Sequence, residues 1–346
     1  MLGSELPAGV HWYDALGHAL VQVGPPPEGG APTAVLTGVP WRTGWRYRER
    51  GFRHVYWDAG TMLSQLQAAA DSAGIETALH TRFSDRQVAE LVGADGVHEW
   101  PVAVLALGGN PALAPAGPAT QGEVDVAPRE FPLVTTAQRA GESEALGPAW
   151  DRGAPVTVEH AAGPSVEQVV LARSSQRRMD PSRGLAEDTL RICLDVALRG
   201  IGVRHLVVVH DVSGVNPGVY PWPDLDRPTR EGALREEAYV VALEQSLARD
   251  AAFVVVAAAD ISTLDDRGYR EAQLAAGLVE GRLHLLAYAL GASASGMTFD
   301  DSLVPGLLGK PLEALLFTCV GVPEYQPAAG GLPGAPNEIR MVAPRP

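Results

Sequence analysis

The sequence predicts a mixed fold of helices and strands built from two related units, on three observations. Arg50-Gly51-Phe52-Arg53, followed by Gly60 and Gly74, returns as Arg267-Gly268-Tyr269-Arg270, followed by Gly277 and Gly291, at a constant offset of 217 residues (50 to 267, 74 to 291). A repeat of fixed long period marks one structural unit used twice. Within each copy, apolar residues fall at helical spacing: Met62, Leu66, Ala69 and Ala73 in the first, Val279, Leu283, Leu286 and Leu290 in the second. Finally, the apolar runs Val102 to Leu107 and Leu315 to Val320 each end in a glycine and read as buried strands.

Taken in order, Pro7-Ala8-Gly9-Val10 with Trp12 forms a glycine-aromatic turn that is matched loosely by Pro217-Gly218-Val219 with Trp222. A long core-facing helix over 55–73 follows, and Gly74 stands where a C-terminal cap needs positive φ, as Gly291 does after the second helix. Next come Phe83-Ser84-Asp85 and Phe299-Asp300-Asp301, in which Ser84 or Asp300 can cap a short helix ending near Gly93 or Gly309. Residues 111–164 are rich in Pro, Gly, Ala and Glu with little periodicity, a linker ordered in pieces such as 131–134. Beyond it the sequence predicts a helix over 186–199 and strands over His205 to Val212 and Phe253 to Ala258. Upstream of Pro7 there are only six residues, so the first copy is expected to lack its front part. The resulting division is a truncated unit over 1–110, a linker over 111–164, a complete unit over 165–325 and a tail over 326–346.

Composition narrows the function. With 346 residues, 46% of them hydrophobic, the chain can bury two modest cores. A formal charge of −14 repels nucleic acid and anionic membrane over most of the surface, so neither is an expected partner. No apolar run reaches membrane-spanning length and no secretory signal opens the chain, which makes a cytoplasmic protein the expectation. Cys193 and Cys319 lack paired spacing and read as buried apolar residues rather than a disulfide or zinc ligands. Lys310 is the only lysine, which disfavours Schiff-base chemistry. No metal-ligand spacing appears, and Asp300-Asp301 reads as a helix cap. The Gly291 to Gly296 stretch has no glycine two residues after either serine, so it is not a hydrolase nucleophile elbow. No glycine-rich dinucleotide fingerprint follows a strand.

Arg173, Ser175 and Arg177 concentrate positive charge in an acidic chain, with Arg178 and Arg183 nearby. Guanidinium forks and a hydroxyl together suit a phosphate monoester, while the plainer reading is a solvated, arginine-rich helix flank. The stretch from Leu171 to Met179 resembles the opening Arg-Arg-Ser-x-Arg-x-Phe motif of the FMN-dependent nitroreductase superfamily, with Ser174 for the second Arg and Met179 for Phe. Val208 to Tyr220, Tyr269 to Gly291, and Gly296-Met297-Thr298-Phe299-Asp300 look similar too. Within that superfamily the chain most resembles the SagB-type dehydrogenases, which oxidise azolines to azoles in thiazole/oxazole-modified peptides, over about residues 6–108 and 165–325.

This resemblance implies an α+β fold of three-layer α-β-α domains, dimeric in the family and here an intrachain pseudo-dimer whose first copy is truncated at its front. It implies FMN as cofactor. Arg173, Ser175 and Arg177 would contact its phosphate and ribityl chain, Gly296, Met297 and Thr298 would run along the isoalloxazine edge, and Arg340 would return to the phosphate from the tail. The family's Lys-Tyr pair corresponds to Arg46 and Tyr47, which would be catalytic, yet an arginine stays protonated and makes a poor general base. The second copy has Leu264-Asp265-Asp266 there and no such pair. A Pro-Ser-x-Gly-type loop that the family usually carries is missing, because Leu198 to Val203 passes directly into a strand. Three functions follow as expectations. The first is a dehydrogenase of a peptide or small heterocyclic substrate, reoxidised by oxygen. The second is a degenerate subunit of a larger peptide-modifying complex that binds flavin or substrate without turnover. The third is a general nitro- or quinone-reductase using NAD(P)H. A partner protein or a second copy could complete the site, making a homo- or hetero-oligomer the expectation.

Overall fold

The computed structural model describes residues 6–120, 122, 125–158, 163–328 and 342. The first half contains the strands β1 (Val10–Asp14), β2 (Ala19–Gly24), β3 (Thr33–Gly38), β4 (Thr77–His80) and β5 (Trp100–Leu107), with helices α1 (Trp41–Tyr47), α2 (Gly51–Ser72) and α3 (Asp85–Val92). After them come α4 (Pro132–Ala140), inside the linker, and α5 (Val166–Ala172). The second half carries β6 (Leu185–Ala186), α6 (Glu187–Ala197), β7 (Arg204–Val209), β8 (Val212–Ser213), β9 (Gly218–Pro221) and β10 (Arg230–Glu231). It closes with α7 (Arg235–Val241), α8 (Ser246–Asp250), β11 (Phe253–Ala259), α9 (Asp266–Ala289), β12 (Ser293–Met297), α10 (Val304–Leu308) and β13 (Glu313–Gly321).

The second half is a three-layer α-β-α unit. Its six-stranded sheet runs β10-β9-β7-β11-β13-β12. On one face, Val208, Val254, Val256 and Phe317 pack against Ala238 and Val241 of α7, Ala248 of α8 and Leu307 of α10. On the other, Val207, Val209, Phe253 and Val255 meet Leu190 and Leu194 of α6 and Val279 and Leu283 of α9. Successive strand residues point to opposite faces, so a sheet covered on both sides needs the continuous apolar runs seen in β7 and β11. The first half has a three-stranded antiparallel sheet, β3-β5-β4, between α2 on one side and α3 on the other. These strands reproduce the neighbours β11-β13-β12, and among the described residues they have no counterparts of β7, β9 or β10. Among the described residues the first half therefore carries the equivalent of the β11-β13-β12 half of the larger sheet.

The glycine-aromatic match between Trp12 and Trp222 is not structural. Val10–Asp14 pairs with β2 in a separate hairpin, whereas Gly218–Pro221 lies in the large sheet beside β7. Pro and Gly make turns wherever a chain reverses, so their recurrence carries little topological information. The expected 205–212 strand ends at Val209, and the linker is more ordered than its composition suggests. Pro132 sits at the start of α4, where its missing N–H costs nothing, and buried Gln138 accepts a hydrogen bond from the Tyr56 hydroxyl at 2.6 Å. Cys193 and Cys319 are buried free thiols, as expected.

The two halves meet where α2 crosses α9, around repeat-equivalent residues. Phe52 and Tyr269 stack with centroids 6.3 Å apart and planes 3° apart. Gly60 and Gly277 let the backbones touch: a Cβ on Gly60 would lie 2.5 Å from the Leu274 carbonyl oxygen, and one on Gly277 would lie 2.4 Å from that of Trp57. Trp57 Nε1 donates to Gln273 Oε1 at 2.6 Å. A reciprocal clasp of charges closes both ends of the crossing. Asp85 of the first copy accepts from Arg267 at 2.7 Å and Arg270 at 2.9 Å in the second. Asp301 of the second accepts from Arg50, and from Arg53 at 2.7 Å, in the first. The glycines and the aspartate beside each capping residue thus serve the interface, a role invisible to local sequence rules. Ser84 caps α3 as expected through Gln87 N, while Asp300 caps the turn ahead of α10 through Ser302 N.

The clasps differ in depth: the Asp85 side chain is 6% exposed and that of Asp301 39%. Asp85→Asn strands two buried guanidiniums and is expected to cost about 3–5 kcal/mol, whereas Asp301→Asn should cost at most about 1 kcal/mol, both read by urea unfolding. Gly277→Ala should cost about 1–3 kcal/mol by overpacking the crossing.

Candidate functional site

The outward stripe of α2 is formed by His54, Asp58, Thr61 and Gln65, each three or four residues after the last and hence one turn further on. It spans about 16 Å at a rise of ~1.5 Å per residue. At its lower end Tyr47 stacks on His54, with centroids 4.0 Å apart and planes 22° apart, and the exposed Arg46 guanidinium lies 5.8 Å from the Tyr47 centroid. One turn below His54, Arg50 donates through Nε to Thr298 Oγ1 at 3.0 Å. In the middle, Thr61 Oγ1 donates to Glu280 Oε2 at 3.3 Å, and the Glu280 carboxylate lies directly against Gly296, where a Cβ would come within 1.9 Å of Oε1. At the upper end Arg173 Nε donates to Gln65 Oε1 at 3.3 Å.

The arginine motif is held by the residue at its centre. Gln176 is fully buried, its backbone N–H donates to Ala294 O of β12 at 3.2 Å, and its side-chain amide donates to Arg178 O and Tyr325 O. In extended chain, alternate residues face opposite ways, so burying Gln176 turns Ser175 and Arg177 to solvent. Arg177 donates its backbone N–H to Tyr325 Oη at 3.2 Å, and its guanidinium has no carboxylate partner among the described residues. Among the described residues Arg173 likewise has no carboxylate partner, its Nε donating to the neutral Gln65 amide. Gly296 and Met297 pair with Thr318 and Phe317 of β13. The Met297 side chain turns into the core, with its sulfur 3.3 Å from Cys319 Sγ, so only its backbone faces the stripe. The structure thus gathers Tyr47, Arg46, Arg173, Gly296 and Thr298 along one face of α2, with Ser175 and Arg177 beyond Arg173. Arg340 lies outside the described residues.

Three groups escaped the sequence reading: His54, Asp58 and Glu280. Asp58 keeps solvent-facing surface, but the atoms crowded around its carboxyl, and next the Glu280 charge, push it up to about 6. Burial pushes the His54 imidazole down, helped by the Arg50 and Arg53 charges, against a hydrogen bond between Nδ1 and Arg50 O. Glu280 also lies 3.6 Å from the buried His284 Nε2. The repeat held a signal for Glu280: at the 217-residue offset its counterpart is Leu63, a fully buried core residue, so an acid at that register breaks the pattern.

Two arginines free of carboxylates beside an exposed hydroxyl suit the FMN phosphate. Glu280 fills the space over Gly296 that the flavin edge would take, but it is the far end of a flexible side chain and can swing aside. The residues therefore fit the group, with one side-chain movement.

Comparison with known proteins agrees on the fold. Residues 27–109, in the first copy, match the profile of the Nitroreductase family. The chain superposes on a crystal structure of an Anabaena variabilis protein assigned as a nitroreductase with a TM-score of 0.67 at 24% identity, covering 84% of this chain and 69% of that one. This chain has the nitroreductase fold. Weaker likenesses, each covering about half of this chain, include a Ralstonia eutropha protein also assigned as a nitroreductase (TM-score 0.39, 15% identity, 49% of this chain and 88% of that one). Another is the NADPH:FMN oxidoreductase of Vibrio harveyi (TM-score 0.37, 16% identity, 51% and 79%). No curated protein matches the chain.

Because the Asp58 carboxyl is raised from 3.8 to about 6, the folded protein holds a proton across that window that the unfolded chain has lost. Stability should fall as pH rises through it and stay lower above it. Asp58→Asn should therefore unfold at higher urea than the parent at pH 7.5, with the difference gone by pH 4.

Proposed function

We propose that this chain is an FMN-dependent oxidoreductase, a dehydrogenase acting on an azoline-type heterocycle in a modified peptide or related natural product. The supporting observation is the convergence on one face of α2 of Tyr47 at one end and Arg173 at the other, with the Gly296 to Thr298 backbone between them. The two ends come from different copies, so the tandem chain assembles a composite site by itself.

Bound here, FMN would supply a two-electron acceptor for hydride. Arg173, Ser175 and Arg177 would hold the phosphate, and the α2–α9 crossing would keep that anchor rigid relative to Tyr47. Arg46 stays protonated and would orient the substrate or stabilise negative charge. The proton then needs another acceptor, and Asp58, with its carboxyl at about 6, is matched to uptake near neutral pH. Tyr47, stacked on His54, would position the reacting group.

A second reading, a flavin- or substrate-binding subunit without turnover, is favoured by Glu280. Its carboxylate against Gly296 opposes negative charge on a neighbouring ring and must move before one can enter.

Purified protein should be yellow, or become so on titration with FMN, and Arg173→Ala with Arg177→Ala should abolish retention. Protein that stays colourless with excess FMN overturns the oxidoreductase reading for the isolated chain. Given flavin binding, Tyr47→Phe should lower substrate-dependent flavin bleaching about 10²-fold with retention unchanged, through lost orientation of the reacting group, whereas equal bleaching assigns Tyr47 to packing alone.

A further inference from the structure

The contact between the long helix and the edge strand is built differently in the two copies. At the constant offset of 217 residues, Leu63 and Leu79 of the first copy correspond to Glu280 and Gly296 of the second. Leu63 and Leu79 are fully buried in one apolar cluster, so α2 and β4 meet there through packed side chains. In the second copy a glycine withdraws the side chain from β12, and Glu280 of α9 reaches into the space. A Cβ on Gly296 would run into all three atoms of that carboxylate, with Cδ at 2.5 Å and Oε2 at 3.0 Å. The fold does not require this exchange, since the leucine pair serves the same contact in the other copy.

Both walls of that space are fixed. Gly277 and Gly281 flank Glu280 one turn apart, and both rest on the α2 backbone: a Cβ on Gly277 would lie 2.7 Å from Trp57 Cα, and one on Gly281 would lie 2.8 Å from Thr61 Cα. Gly296 is held by its pairing with Thr318 of β13. Helix and strand cannot part without breaking the interface between the copies, whereas a glutamate side chain changes rotamer without disturbing any backbone contact. What holds the carboxylate in place is weak. Thr61 Oγ1 donates to it at 3.3 Å, His284 Nε2 lies 3.6 Å away, no arginine or lysine pairs with it among the described residues, and the Asp58 carboxylate repels it. Glu280 is thus a movable arm between two rigid walls, with a closed and an open position.

We propose that Glu280 gates flavin entry: in the closed position it occupies the space over Gly296 as a tethered competitor, and FMN binds only the open one. Resting on the FMN reading above, the gate adds a residue that sets how fast and how tightly the cofactor is taken up without holding its phosphate. A competitor of this kind lowers the apparent affinity by the fraction of time the space is open. It slows entry by the same factor and leaves exit unchanged, because a bound ring has already displaced it.

The test is equilibrium and stopped-flow titration of the full chain with FMN, read by flavin fluorescence, for the parent, Glu280→Ala, and the double variant Glu280→Leu with Gly296→Leu. Glu280→Ala should bind FMN about tenfold more tightly or better, with the gain in the association rate and the dissociation rate within about twofold of the parent. The double variant restores the leucine pair of the first copy and should not retain FMN. Circular dichroism should show both variants folded like the parent, alanine being a strong helix former. A Glu280→Ala variant that binds no more tightly than the parent, a gain that lies in the dissociation rate, or a folded double variant with parental affinity overturns the gate. Parent and Glu280→Ala equally yellow with equal affinity overturn the gate alone and leave the oxidoreductase reading standing. Both colourless in excess FMN overturn the two together. A colourless parent beside a yellow Glu280→Ala variant supports the gate, and assigns the loss of flavin in the isolated chain to the closed arm.

Discussion

Everything in this protein depends on how closely α2 and α9 approach. Gly60 and Gly277 sit at equivalent points of the two helices, and each accepts the other helix's backbone where any side chain would collide. Contact at that range allows the Phe52–Tyr269 stack and brings each aspartate within reach of the opposite arginine pair. A wider crossing would separate Gln65 from Arg173 and Thr61 from Glu280, and the stripe on α2 would lose its second wall. Ion pairs alone would not hold such a geometry. They follow from the backbone contact and lock its orientation, since a carboxylate bound by two guanidiniums tolerates little rotation.

The pseudo-symmetry is exact enough to place equivalent residues face to face and loose enough to let their surroundings diverge. The buried Asp85 clasp is enclosed by Gly141 of α4's C-cap, Thr81 and Ser143, all of which contribute polar contacts. Around Asp301 the same clasp is half open and borders Thr298. One end of the interface thus serves as an anchor, and the other is joined to the candidate site through Arg50, which binds both Asp301 and Thr298.

Much of the fold was legible because its signals are local. Helical spacing from Met62 to Ala73, positive φ at Gly74, Gly93, Gly291 and Gly309, and Ser84 at an N-cap each depend on a few neighbouring residues. What the sequence hid was long-range. Nothing near Asp85 says that its partners lie 182 residues away, and Gly60 looks like a mild helix defect until α9 is laid across it. Of the residues named from family resemblance, Arg46, Tyr47, Arg173, Gly296 and Thr298 border one face of α2, Ser175 and Arg177 lie beyond it, and the Met297 side chain turns into the core. The acidic groups between them went unread because, in an acidic chain, a lone Asp58 or Glu280 looks like solvated surface. Comparing the two copies position by position would have exposed Glu280 opposite Leu63, and it is the mismatches in a repeat that point to a site, while the matches point to the scaffold.

The connector over 111–164 changes what the interface has to do. In a two-chain assembly, halves that meet through a helix crossing come apart when diluted, and any substitution appears on both sides of the axis at once. Here the halves are joined covalently, each held near the other at an effective concentration set by the tether rather than by the amount of protein. Association survives dilution without help from extra contact area. Selection is also released from self-complementarity, and one half can acquire charges that its twin could never accommodate, as Glu280 stands where the other copy has the buried Leu63.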